Sequence, residues 1–210
     1  MLKYVILVLV MLVVHAVLTY SVLLRFTTGL SPRVFFARIR PVQAFAFSTA
    51  SSGATIPVTL KTVEERLGVD NRIASFTVPL GATINMDGTA ILQGVATIFI
   101  AQYFGVELSI AQMLMVVLMV IMASVGTAGV PGVGLVLLAG VLASVGLPAE
   151  GIALILGVDR ILDMTRTAVN VTGDCAVSVV VAHSEGALDR GIFYDQANAS
   201  VAAEREGRVA

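Results

Sequence analysis

Charge is what this sequence has least of. Asp, Glu, Lys and Arg together make up 13% of the 210 residues, against about 25% in ordinary soluble domains. No charged residue at all falls between Leu108 and Ala149, more than the ~20 residues that one bilayer crossing needs. Cysteine is nearly absent as well. Cys175 stands alone, which excludes an internal disulfide framework and any multi-cysteine metal site. The net charge of −1 argues against a nucleic-acid partner. What is there instead is hydrophobic, 57% of the chain. The fold class this implies is an all-α integral membrane protein in contact with the lipid bilayer.

The apolar run from Tyr4 to Leu24 follows Lys3, as in a signal peptide, but it is too long for an h-region. No small-residue cleavage site precedes Arg25, so a spanning helix is expected. Seven of the thirteen Lys and Arg residues fall between Arg25 and Arg72, and none between Tyr103 and Glu150. By the positive-inside rule, the 25–72 region and the C-terminal tail are cytoplasmic and the loops near 103–110 and 146–151 lie outside. Met1 then starts outside, which suggests that membrane segments precede it.

The apolar pieces differ in kind. Residues 4–26 read as a plain helix. The piece at 41–66 holds Pro41, Ser48, Thr49, Ser51, Ser52, Gly53 and Pro57 and has basic flanks at both ends. It is predicted to enter and leave on one side as a re-entrant hairpin, which is tolerated only when buried in protein or lining a cavity. Residues 73–102 are predicted to cross and to break near Asn85. Residues 111–147, with Gly126 to Gly134 in the middle, form a second re-entrant hairpin whose glycines permit a tight turn. Residues 151–182 form the last span. Residues 1–183 are thus a membrane core, and 184–210 a polar, solvated cytoplasmic tail. Two interrupted segments in corresponding positions of two halves point to a transporter's midplane site.

Polar residues inside these segments are the candidates for chemistry. Asn85-Met86-Asp87-Gly88-Thr89 puts a carboxylate in an apolar run, at a cost of several kcal/mol unless something pairs with it. Asn85 and Gly88 favour an opened backbone, and a carboxylate plus freed carbonyls makes a cation site. On the last span, Asp159, Asp163, Arg166, Asn170 and Asp174 follow steps of 4, 3, 4 and 4. At about 100° per residue they share an arc of about 80°, one polar stripe. Arg166 offers a fixed fork of donors to a carboxylate, and Asp174 an acceptor for an ammonium or sodium ion. The plainer alternative is that Asp163 and Arg166 only neutralise each other.

Four motifs carry a resemblance: the serine-rich stretch 48–57, Asn85 to Thr89, the glycine-rich stretch 124–134, and Asp159 to Asp174. In these the chain resembles the dicarboxylate/amino acid:cation symporters, the glutamate transporter homologues, over roughly residues 1–183. The resemblance implies the C-terminal core of a mobile, elevator-type transport domain, with the first five helices and their trimerisation scaffold absent. It implies symport of glutamate or aspartate coupled to sodium or protons, with no organic cofactor and no enzymatic activity. The whole family member is expected to be a homotrimer, multi-pass in the inner (plasma) membrane. Residue by residue, Arg166 would hold the substrate side-chain carboxylate and Asp163 its amino group. Thr89, Thr167 and Asn170 would add polar contacts, and Ser51, Ser52, Val130 and Gly134 would surround the substrate backbone. One sodium site would use Asp174 with oxygens of Gly81, Asn85 and Asn170. A second would use carbonyls of Thr83, Ser124, Val125 and Thr127. A third would use Asn85 and Asp87, with further ligands from an absent helix.

Ala50 departs from the family, where an arginine or a serine is found. Alternatives are a non-transporting truncated remnant, and a C4-dicarboxylate symporter whose substrate has no amino group for Asp163. The missing scaffold implies weak binding and no transport by these residues alone. His15 and His183 lack metal-ligand spacing and are expected to be packed or interfacial. Ser51-Ser52-Gly53 has no histidine partner for a hydrolase, and the methionines of 113–122 are expected to be packing.

Overall fold

The structure is a computed structural model, and it describes residues 1–125 and 128–195. The described residues form helices and no sheet, apart from one isolated antiparallel bridge between Val69 and Leu188. α1 (Leu2–Val14) and α2 (Tyr20–Thr28) are joined without a break by a π-helical turn, His15–Thr19. The predicted helix over 4–26 is therefore not plain but contains one widened turn. α3 (Pro32–Arg38) leads into the first helical pair, α4 (Arg40–Thr49) and α5 (Ser52–Glu65). The interrupted span is α6 (Asn71–Ile84) and α7 (Asp87–Tyr103), parted at Asn85-Met86. α8 (Ile110–Val125) and α9 (Val133–Ser144) form the second pair, α10 (Ile152–Ser184) the last long helix, and α11 (Arg190–Tyr194) a final short one.

Local chemistry explains the breaks. α4 stops at Ala50, whose φ of 52° is left-handed, and Ser51 starts α5 by accepting the Ala54 N–H at 3.1 Å. Asp70 caps α6 by accepting the Arg72 N–H at 2.9 Å, and the Arg72 guanidinium holds that carboxyl below the usual range. At Asn85 and Met86 the backbone leaves helical geometry and restarts at Asp87. The last carbonyls of α6 and the first N–H groups of α7 are thereby freed inside the protein.

α10 is the centre of the molecule, packing against α1, α2, α4, α5, α6, α7 and α9. Its 33 residues span about 50 Å at 1.5 Å each. α1 buries only the seam Tyr4, Val8 and Leu12, four residues apart, and leaves Ile6, Leu7, Val10 and Val13 exposed, as the π turn after it leaves Val17 and Leu18. α8 likewise exposes Leu114, Val117, Leu118, Ile121 and Met122. Met113, Met115 and Met122 thus face outward rather than packing inward. Apolar faces this large are uncommon on soluble monomers. Among the described residues two stretches, Leu2–Thr28 and Asn71–Tyr103, are long and apolar enough to cross a membrane.

The segment after α10 is not the solvated tail predicted, as far as residue 195. Ala187 O accepts the Asp70 N–H at 3.0 Å, and Gly68 O accepts the Asp189 N–H at 2.8 Å. Arg190 donates to Thr28 O at 2.7 Å, and Phe193 is fully buried. Residues 185–195 therefore tie the end of α2 to the base of the first helical pair. Residues 196–210 of the predicted tail lie outside the described residues.

Candidate functional site

The break between α6 and α7, the two helical tips and the middle of α10 meet at one place. The tips touch directly. Ser51 Oγ donates to Gly129 O at 2.6 Å, and the Gly53 N–H donates to the same carbonyl at 3.0 Å. A small cavity beside them is lined by Ala50, Ser52, Met86, Gly129, Val130, Arg166, Thr167 and Asn170.

The stripe on α10 divides into two halves. In the first, the buried Arg166 guanidinium pairs with Asp163 Oδ1 through Nη2 and donates to Thr89 Oγ1 through Nη1 at 2.5 Å. Asp163 Oδ2 accepts the Gly132 N–H at 3.0 Å, which draws the second tip onto α10. A Cβ on Gly134 would sit 3.2 Å from Arg166 Cζ, so the backbone of α9 lies against the guanidinium face. Asn170 Nδ2 donates to Thr89 Oγ1 at 3.3 Å, and its Oδ1 accepts the Gly88 N–H at 2.8 Å. Thr167 bonds back to Asp163 O at 2.8 Å and lines the cavity. Val130 lines it while remaining half exposed. Asp159 lies one turn before Asp163, partly buried, and Arg160 points off the stripe into the surroundings.

In the second half no cation among the described residues pairs with the carboxylate. Asp174 Oδ1 accepts from Asn85 Nδ2 at 2.8 Å, and the same amide donates to Asn170 O at 3.1 Å. Asp174 abuts the backbone of α6 so closely that a Cβ on Gly81 would lie 2.5 Å from Oδ1. Gly81, Asn85, Asn170 and Asp174 therefore converge, and Asp174 Oδ1 and Asn170 O, both held by the Asn85 amide, are oxygens of the kind a hard cation takes. Thr83 lies in the last turn of α6, and Ser124 and Val125 in the last turn of α8, which packs against α6. The final carbonyls of a helix lack intrahelical partners and carry its negative dipole end, so each of these ends favours a cation. Thr127, predicted to complete that set, lies outside the described residues.

Asp87 holds a surprise. His15 Nε2 lies 2.5 Å from Asp87 Oδ2, and Tyr20 donates its hydroxyl to the same oxygen. His15 is thus a contact of the site and not merely a packed or interfacial residue. Gln93, also unpredicted, is fully buried and donates to Gly134 O at 2.8 Å. Polarity within apolar runs was the available signal for both: His15 interrupts 4–24 and Gln93 interrupts 90–101. Which helix they would face could not be read from spacing.

The description "Sodium:dicarboxylate symporter family" belongs to the family whose model matches residues 1–184. An excitatory amino acid transporter of Caenorhabditis elegans is 45% identical over 187 residues, covering 89% of this chain and 37% of the relative. Human excitatory amino acid transporter 1 is 44% identical over 180 residues, covering 86% of this chain and 33% of its own. Human excitatory amino acid transporter 2 is 44% identical over 187 residues, at 89% and 33% coverage. The chain spans about a third of the length of these curated relatives. A match across nearly the whole chain, over a site where buried charges and freed carbonyls meet at a broken helix, is decisive: the chain belongs to the sodium:dicarboxylate symporter family, a family of transporters and not of enzymes.

Proposed function

We propose that the chain forms the substrate- and cation-binding core of a sodium-coupled symporter for acidic amino acids, in a multi-pass plasma-membrane protein. The observation that carries this is the divided stripe of α10. One buried carboxylate there is matched by a guanidinium and the other by no cation among the described residues. An acidic amino acid brings two carboxylates and one ammonium. Its side-chain carboxylate takes the Arg166 fork, which Asp163 shares in the absence of substrate, and Asp163 turns to the ammonium. Thr89 and Asn170 supply polar partners, and Ser51, Ser52, Val130 and Gly134 enclose the backbone. Sodium enters as co-substrate beside Asp174, at the α6 and α8 ends (Thr83, Ser124, Val125 and Thr127), and at Asn85 and Asp87. Protons are the alternative coupling ion.

The exposed apolar faces of α1 and α8 support a bilayer setting. In our reading the α4–α5 and α8–α9 pairs are re-entrant hairpins and residues 1–183 the membrane core, and the bias of Lys and Arg puts the C-terminus on the cytoplasmic side. A homotrimer is the expected assembly of the whole protein, with elevator-type movement of this core. Glutamate or aspartate is preferred over a C4-dicarboxylate because succinate has no ammonium for Asp163, which would be left buried without a positive partner once the substrate carboxylate takes Arg166.

The test is ligand-dependent stabilisation of the protein in detergent, read by unfolding temperature with sodium or choline salts. A bound ligand stabilises by RT ln(1 + [L]/Kd), so even weak binding registers at high concentration. Aspartate should stabilise in sodium and much less in choline, since linkage requires each ligand to favour the other. Equal stabilisation in both salts removes sodium as the coupling ion, and stabilisation by succinate but not aspartate favours the C4-dicarboxylate reading.

A further inference from the structure

None of the binding residues above comes from the first helix, yet that helix reaches the site. His15 and Tyr20 meet the same oxygen, Asp87 Oδ2, from 72 and 67 positions away in sequence. They can do so because of the π-helical turn His15–Thr19. Five α-helical steps would leave positions 15 and 20 about 140° apart. The i→i+5 repeat of a π turn instead stacks them on one face, and such turns recur at functional sites. Their rings pack edge to face with centroids 5.3 Å apart.

The surroundings orient both donors. Thr19 Oγ1 lies 3.2 Å from His15 Nδ1. A hydroxyl donating there leaves the imidazole hydrogen on Nε2, aimed at Asp87. The Tyr20 hydroxyl nestles over Gly173, where a Cβ would sit 2.5 Å from it and 2.4 Å from Asn85 Nδ2. Asp87 Oδ2 thus has both lone pairs engaged, while among the described residues Oδ1 accepts only the Gly88 N–H, at 3.0 Å. The carboxylate is fixed with one oxygen held and the other left for an ion.

We propose that His15 and Tyr20 are positioning residues of the Asn85–Asp87 cation site, the π turn of the first helix being the device that brings both onto Asp87. This rests on the cation reading given under Proposed function. Partners that orient a metal-binding carboxylate typically change affinity by 10–100-fold when removed. A purely structural role would cost stability without changing sodium affinity.

Cys175 is buried, so its labelling by a thiol-reactive dye reports unfolding of the intact protein. Unfolding temperature is titrated with sodium chloride against choline chloride for the parent, His15→Ala, His15→Gln and Tyr20→Phe. His15→Ala and Tyr20→Phe should raise the sodium concentration for half-maximal stabilisation by about tenfold or more. His15→Gln, which keeps an N–H donor, should recover most of that loss. Midpoints within about twofold of the parent in both variants overturn the proposal, including when stability falls equally in both salts. A parent that sodium does not stabilise overturns the cation reading itself and this proposal with it.

Discussion

Asp163 and Asp174 sit three turns apart on α10, each 2% exposed, and their surroundings could hardly differ more. Asp163 has a guanidinium on one oxygen and a backbone N–H on the other. Asp174 has a neutral amide and the bare backbone of Gly81. Removing one partner of a buried ion pair is strongly destabilising because it strands a charge. A buried carboxylate with no cation is already stranded, and such a residue inside a membrane protein is a functional site by default. The contrast separates a half of the site built to be complete without ligand from a half that asks for a positive charge.

The largest effect should come from breaking the complete half. Arg166→Ala should lower affinity for aspartate by more than tenfold while leaving membrane insertion intact, measured by calorimetric titration in sodium. The loss amounts to about 2–5 kcal/mol, because the substrate carboxylate would be buried unpaired. A fall of less than tenfold, under about 1.4 kcal/mol, would show that Arg166 is not the anchor.

A smaller effect is expected from crowding the incomplete half. Gly81→Ala places a methyl 2.5 Å from Asp174 Oδ1, so the carboxylate or α6 must move, at about 1–3 kcal/mol. Sodium titration of the unfolding temperature should show a higher midpoint than in the parent. Gly94→Ala is the control on the continuation of the same broken span. Nothing lies within 4 Å of its Cβ, and in mid-helix it should stabilise by about 0.5–1 kcal/mol without changing the sodium midpoint.

Much of this was legible in the sequence. The break at Asn85 follows from poor helix formers around a carboxylate, the stripe of α10 from its spacing, and the interruption near Ser51 from the Ser, Gly and Pro residues of 41–66 between basic flanks. What stayed hidden depends on contacts between distant segments. Nothing in the run from Tyr4 to Leu24 shows that one turn widens, so His15 and Tyr20 could not be assigned to Asp87. Gln93 has no periodic signal, only its polarity, and its partner is a carbonyl on a different helix. The 185–195 segment reads as polar because its anchors are backbone hydrogen bonds, which composition does not encode, with Phe193 as the one apolar plug.

The most direct test makes the same change on both carboxylates and reads unfolding temperature through Cys175 labelling, in choline and in sodium. Asp163→Asn should destabilise by about 3–5 kcal/mol in either salt, since it strands Arg166. Asp174→Asn should leave stability in choline unchanged or higher and should lower the gain from sodium by the share of its own site, about 2.7 kcal/mol at a hundredfold excess over that site's Kd. Retention of the full sodium gain by Asp174→Asn would contradict the division of the site into a paired half and a cation-seeking half.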